Sequence, residues 1–271
     1  MDIYQWAQDF YKRATTEKRI IGHSHFGREL YAVKIGNGSP VGIVQYAIHG
    51  REYITAKLAA EHYRVGVYKG SCWLLPLVNP DGALLSEQGI ESAPKEERNK
   101  LVALNGNRLD FSLWKANGRG VDLNVNFAAK WGRGAKNCRI AGAENYIGKT
   151  PFSEMETQAL RDFTKDVRPD YTVSYHTKGE EIYWCFCQSI QASNRDQQLG
   201  LALSSATGYP LRYTKGSVGG YKDWCIQTYG IPSYTIEVGA DSLAHPLKED
   251  ALSDIIEKNR YTIYVLSKGI D

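Results

Sequence analysis

The strongest constraint on the fold is a set of short runs dense in Val, Ile and Tyr, some of them apolar on both faces. They are ELYAVKIG (29–36), VGIVQYAIHG (41–50), CWLLPLVNP (72–80), YTVSYH (171–176), EIYWCFCQ (181–188) and SYTIEVG (233–239). A strand with two apolar faces belongs in a sheet covered on both sides. Stretches with helical character lie between them, at 2–14, 53–68, 153–165, 193–206, 219–229 and 249–268. In 153–165, Ser153 stands three residues before Glu156, the spacing of a capping box. Strands alternating with helices predict an α/β fold, a single α/β/α domain with a mostly parallel sheet. There is no repeat or linker-like tract, so residues 1–271 are read as one domain. The most hydrophilic patch, ESAPKEERNK (91–100), reads as a surface excursion within it.

Composition narrows the functional classes. The net charge is +3, and the basic residues are scattered, which argues against a nucleic-acid partner. No apolar run approaches the roughly 20 residues of a membrane span. The start, MDIYQWAQDFYKRAT, lacks the apolar core of a signal peptide. The expected location is therefore the cytoplasm, or outside it if a leader has been removed. Five cysteines, at 72, 138, 185, 187 and 225, fit neither a disulfide framework nor a four-cysteine metal site. They are expected to be buried free thiols, with Cys185 and Cys187 on one strand face.

Three residues suggest a metal. In AIHGREYITAK (47–57), His49 and Glu52 lie three apart on a turn at the end of a buried strand, placed there at Ile48. Side chains so spaced can converge. His176 sits where another strand runs out, and open α/β sheets build sites at such ends. Two imidazoles and a carboxylate form the open ligand set of a catalytic zinc. Such a site also needs a base, and Glu237, late in an apolar strand, is the candidate. A carboxylate there is costly unless paired or used, and burial raises its pKa. His23 and His25 read as surface residues, while His62 and His245 have no ligand-like neighbour in sequence.

Taken together, IGHSHFGRELYAVKIG (21–36), HGRE (49–52), LVNPDG (77–82), GVDLN (120–124), SYH (174–176), GGYKDW (219–224) and Glu237 resemble the zinc carboxypeptidase (funnelin) family over nearly the whole chain. The resemblance implies one zinc ion per chain on His49, Glu52 and His176, with Glu237 as general base. It implies a mixed, twisted, mainly parallel sheet of about eight strands. Animal members carry an oxyanion-stabilising arginine in a W-R-K-like run. Here that run is WKAN, which makes Lys115 the counterpart and Arg119 the second choice. Arg51 matches an arginine of the substrate cleft.

Two departures bear on substrate. Exopeptidase members read like DLNRN, whose Asn and Arg bind the free carboxylate of the substrate, and this chain reads DLNVN. Asn124 remains, but Val125 cannot pair with a carboxylate. A substrate that continues past the residue after the cut, or is blocked there, is favoured. The residue after Tyr221 corresponds to the floor of the leaving-residue pocket, and here it is Lys222, which invites a side-chain carboxylate. Arg51, Asn124, Val125, Tyr221 and Lys222 are thus the expected substrate-binding residues. The pattern looks like the bacterial γ-D-glutamyl-L-diamino acid endopeptidases, which cut the γ-D-Glu–diaminopimelate bond of cell-wall stem peptides. Glu180 and Glu181 are candidates for the ammonium at the D-centre of diaminopimelate. No wall-binding repeat is evident, so action on soluble muropeptides or inside the cell is expected. The alternatives are an exopeptidase of the same fold on murein tripeptides, a zinc deacylase, and a non-catalytic wall-peptide binder. Oligomeric state is not legible.

Overall fold

The computed structural model describes residues 1–213 and 216–270. Its backbone is a single eight-stranded sheet with helices on both faces. The strands are β1 (Lys18–His23), β2 (Glu29–Gly36), β3 (Val41–Tyr46), β4 (Ser71–Leu75), β5 (Tyr171–Thr177), β6 (Glu181–Tyr183), β7 (Leu211–Arg212) and β8 (Ser233–Val238), in the spatial order β1-β2-β4-β3-β5-β8-β6-β7. The central four, β4, β3, β5 and β8, are mutually parallel. β2 joins β4 antiparallel, and β6 joins β8 antiparallel. The sheet is therefore mixed and parallel at its centre, in agreement with the expectation.

The helices are α1 (Ile3–Arg13), α2 (Leu58–Val65), α3 (Pro80–Gln88), α4 (Lys95–Leu104), α5 (Met155–Val167), α6 (Ile190–Thr207), α7 (Tyr221–Tyr229), α8 (Leu252–Asn259) and α9 (Thr262–Gly269). Alternation along the central strands divides the core. Val44, Tyr46, Val173, Tyr175 and Ile236 pack with Leu58, Leu203, Ile255 and Ile263 on one face. Ile43, Ile48 and Trp73 pack with Leu160, Phe163, Tyr221 and Trp224 on the other. All seven residues of β5 are buried, as a middle strand covered on both sides requires.

Several local expectations are corrected. The run 41–50 leaves the sheet at Tyr46, not Ile48, because Ala47 turns to φ 51° and its N–H bonds the Thr55 hydroxyl. Residues 53–68 are not one helix; a 3-10 segment, Gly50–Lys57, precedes α2. The run 72–80 yields a strand only to Leu75, and Asn79 then caps α3 with Pro80 in its first turn. The hydrophilic patch at 91–100 contains the start of α4, whose acidic first turn suits a helix N-terminus and whose one fully buried side chain is Leu101. The stretch 249–268 breaks into α8 and α9. The capping box at 153–156 does not form. Ser153 Oγ donates to Glu154, and Glu156 turns into the interior, where it accepts from the His25 N–H and the Asn117 amide. Cys185 and Cys187 lie beyond the end of β6. Cys187 is exposed, its Sγ 2.7 Å from Lys130 Nζ, so it is not a buried thiol. Among the described residues, no helix is long and apolar enough to cross a membrane.

Candidate active site

The site forms where three parallel strands end side by side. β5 and β8 are in register with His176 opposite Glu237, so both point from the same end of the sheet. β3 pairs Tyr46 with Tyr175, which sends the chain after Tyr46 past His176. His49 then precedes the 3-10 turn, and Glu52 within it leaves helical geometry at φ −103°, ψ 22°. The Glu52 N–H still bonds the His49 carbonyl at 3.1 Å, so the three-residue spacing closes as a turn. Gly50 is required by crowding. A Cβ there would lie 2.4 Å from the Gly82 carbonyl oxygen and 2.7 Å from that of Trp114. Its N–H bonds the Lys115 carbonyl at 2.9 Å, which ties the WKAN loop to the His49 turn. Asn79, from the LVNPDG run, braces both. Its Nδ2 donates to the carbonyls of Ile48 and Ala116, each at 3.1 Å.

His49, Glu52 and His176 are all buried, and one ligand atom from each lies within 4.8 Å of the others. Glu52 Oε1 is 2.9 Å from His49 Nδ1, and Oε2 is 2.9 Å from His176 Nδ1. The two Nδ1 atoms are 3.1 Å apart. Metal–nitrogen bonds of about 2.0–2.1 Å at a tetrahedral angle would place them about 3.4 Å apart. Two neutral imidazoles and a carboxylate, converging at that spacing, fit a zinc ion. Burial opposes the charged forms of Glu52 and His49, but their mutual attraction prevails. The Glu52 carboxyl is held well below its usual range, and His49 is raised with help from Asp122.

Asp122 was not singled out in the sequence, although it lies in the GVDLN run. It is fully buried, with Oδ1 3.2 Å from His49 Nε2 and Oδ2 2.8 Å from Lys115 Nζ. Burial disfavours its charge, yet Lys115 and His49 hold the carboxyl far below the ordinary range. A carboxylate behind the distal nitrogen fixes the tautomer and orientation of a ligating histidine. The signal was present: an acid flanked by Val121 and Leu123 is as anomalous as Glu237 flanked by Ile236 and Val238.

Glu237 borders the cleft while the surrounding protein strips water from it. Burial, with Glu52 adding to it against the pull of His176, pushes its carboxyl up to about 7. The cleft it borders encloses about 430 Å³ and is lined also by His49, His176, Lys115, Asn124, Val125 and Lys222. Lys115 therefore faces the cleft, and Asp122 raises its pKa against the effect of burial, so it stays cationic.

Five other expected residues sit elsewhere. Arg119 is exposed, 3.9 Å from Glu154, and does not border the cleft. Arg51 turns to Glu144 at 3.6 Å and does not border it either. The Tyr221 ring is fully buried against Phe127 and Trp224, with its hydroxyl 2.8 Å from Thr164, so its side chain is core rather than a substrate contact. Only its N–H reaches the cleft wall, donating to Asn124 Oδ1 at 3.2 Å. Glu180 pairs with Lys258 and Glu181 with Arg212, both outside the cleft. His245, which had no partner in sequence, lies 3.3 Å from the Thr177 hydroxyl, beside His176. His62 is a core residue between the Tyr46 hydroxyl and the Asn259 carbonyl, and burial lowers its pKa to about 4.

Asn124 and Val125 lie on a one-turn 3-10 segment, Leu123–Val125, capped by Asp122. That segment packs on the glycines before α7: a Cβ on Gly219 would lie 3.2 Å from the Val125 carbonyl oxygen, and one on Gly220 3.0 Å from Asn124 Oδ1. The packing sets Val125 and Lys222 into one wall of the cleft.

Comparison with known proteins places this geometry. The chain is 33% identical over 250 residues to γ-D-glutamyl-L-diamino acid endopeptidase 1 of Lysinibacillus sphaericus, covering 84% of this chain and 62% of that protein's length. Its fold matches bovine thrombin-activatable fibrinolysis inhibitor, solved with a tick carboxypeptidase inhibitor, at a TM-score of 0.76 and 19% identity, over 100% of this chain and 97% of that one. It also matches murein-tripeptide amidase MpaA of Escherichia coli O157 at 0.62 and 21% identity, covering 94% and 93%. The family model for zinc carboxypeptidases matches residues 3–262, the whole sheet and every residue of the site, and the chain belongs to that family.

Proposed function

We propose that this protein is a zinc-dependent peptidase that hydrolyses the γ-D-glutamyl–diaminopimelate bond of peptidoglycan stem peptides, as an endopeptidase on tetrapeptide or longer stems. His49, Glu52 and His176 would hold one zinc ion per chain, which polarises the scissile carbonyl and acidifies a water when bound. Glu237 accepts the proton of the attacking water and delivers it to the leaving amine. Burial raises its carboxyl above the ordinary glutamate range, which strengthens it as a base. Asp122 keeps the His49 ring oriented, and Lys115 contributes positive charge on the side of the cleft where the carbonyl oxygen becomes anionic.

The observation that carries the substrate reading is the wall formed by Asn124, Val125 and Lys222. Asn124 offers an amide to the substrate backbone. Val125 offers nothing to a terminal carboxylate, so the position beyond the leaving residue is free for another residue. The similarity to the Lysinibacillus endopeptidase supports the bond. An exopeptidase acting on murein tripeptides is the second reading, favoured by the fold shared with the tripeptide amidase.

Mass spectrometry of defined stem peptides incubated with the zinc-loaded protein tests the proposal. The expected products are L-Ala-γ-D-Glu and a fragment starting with diaminopimelate, with cleavage abolished by a chelator. Cleavage of N-acyl amino acids with stems left intact would replace this reading by the deacylase.

A further inference from the structure

The wall of the cleft that holds Lys222 carries an ion pair that the catalytic centre does not use. Lys222 and Asp223 are both at most 5% exposed, and both border the cleft. Lys222 Nζ is 2.6 Å from Asp223 Oδ1 and donates to the Cys185 carbonyl at 3.1 Å. Asp223 Oδ2 accepts the Gly220 N–H at 3.3 Å, which fixes the carboxylate at the start of α7. A lysine alone would ask for a carboxylate. A lysine neutralised by its neighbour does not, because any singly charged group that approaches it meets one attraction and one repulsion at nearly equal range. A group with both charges, head to tail with the pair, gains both attractions.

We infer that Lys222 and Asp223 together read the zwitterionic D-centre of the diamino acid, its carboxylate against Lys222 and its ammonium against Asp223. The inference rests on the proposed function and adds which diamino acid is taken, and in what state. The nitrogen and carboxylate oxygen of an amino-acid centre lie about 3 Å apart by standard bond lengths. That matches the 2.6 Å separation of the pair on the protein. Of the two carboxylates that border the cleft among the described residues, Glu237 serves proton transfer, and Asp223 remains for the ammonium. Glu180 and Glu181 are spent on Lys258 and Arg212. A lysine-type stem brings only the ammonium, and an amidated diaminopimelate has lost the carboxylate. Each meets one attraction and one repulsion at the pair instead of two attractions, and is disfavoured.

Calorimetric titration of the zinc-loaded protein tests this without relying on turnover, using three probes whose L-centre carboxyl is blocked as an amide: meso-diaminopimelate with a free D-centre, the same compound amidated at the D-centre, and L-lysinamide. The probe with the free D-centre is expected to bind at least tenfold more tightly than the other two. Lys222→Met should remove that margin and raise affinity for lysinamide, because a lone Asp223 favours a lone ammonium. Asp223→Asn, which keeps the α7 cap, should weaken the probe with the free D-centre without helping lysinamide. Equal affinities for the three compounds, or no binding of any, overturn the inference, as does a wild-type margin that both variants preserve. If the binding preference holds but no stem peptide is cut, the proposed reaction fails and the recognition pair stands.

Discussion

The two halves of the cleft are built on different principles. In the reacting half, His176 and Glu237 stand opposite each other in the register of β5 and β8, and His49 and Glu52 sit on the 3-10 turn that follows β3. The leaving-side half, Asn124, Val125, Lys222 and Asp223, rests on a one-turn segment and a helix start pressed together by two glycines. Charge is handled differently too. In the first half, donors converge on a point between them and leave a position for an external cation. In the second, Lys222 and Asp223 neutralise each other and leave a dipole. A chain can thus vary its substrate by loop changes while the sheet keeps the chemistry constant.

The comparison can be broken most directly at Glu237. Glu237→Gln is nearly isosteric and is expected to lower kcat by about 10²–10⁴, the range for removing a general acid-base, with zinc content unchanged. Steady-state kinetics with parallel metal analysis checks this, and a loss of zinc in the variant would make Glu237 a structural support of the metal group. Asp122→Asn comes next. Loss of the carboxylate behind His49 is expected to weaken zinc affinity about 10–100-fold, read by competition with a chromogenic chelator. An unchanged affinity would mean Asp122 serves Lys115 alone. It should leave the ranking of stem peptides intact, since Lys222 and Asp223 are untouched.

A smaller effect separates both halves from the scaffold behind them. Glu156 is fully buried, and burial, with Asp81 adding to it, raises its carboxyl to about 8. Its folded pKa lies above the 4.5 of an ordinary glutamate, so the folded state holds the proton more tightly than the unfolded one. Its contribution to stability is fully present below pH 4.5 and is lost as pH rises through about 8. Thermal melts of wild type should therefore fall in Tm by a few degrees over that window relative to Glu156→Gln. Parallel melting curves would show that Glu156 is ionised in the fold.

How much of this was legible in the sequence depends on whether burial leaves a mark on residue type. The central strands did, because an uninterrupted apolar run has few other uses, and the three metal-ligand candidates stood at strand ends where such runs stop. Glu237 and Asp122 share one signature, an acid between aliphatic neighbours, but only Glu237 lay in a run long enough to identify as a strand. Tyr221 was misplaced because a motif gives a position and not a side-chain direction. As the first residue of α7 it points into the core, while Lys222 points into the cleft. Glu180 and Glu181 looked available because their partners, Lys258 and Arg212, are 78 and 31 residues away in the chain. Asp223, adjacent to Lys222, was the nearer carboxylate throughout.

The central claim is that Val125 opens the leaving side of the cleft, and the ratio of kcat/KM for tetrapeptide over tripeptide stems tests it most directly. Wild type should favour the tetrapeptide. Val125→Arg, which restores a guanidinium beside Asn124, should shift the ratio toward the tripeptide by about tenfold, the equivalent of one charge-assisted hydrogen bond. A wild-type protein that cuts only the tripeptide, or a ratio that Val125→Arg leaves unmoved, would contradict it.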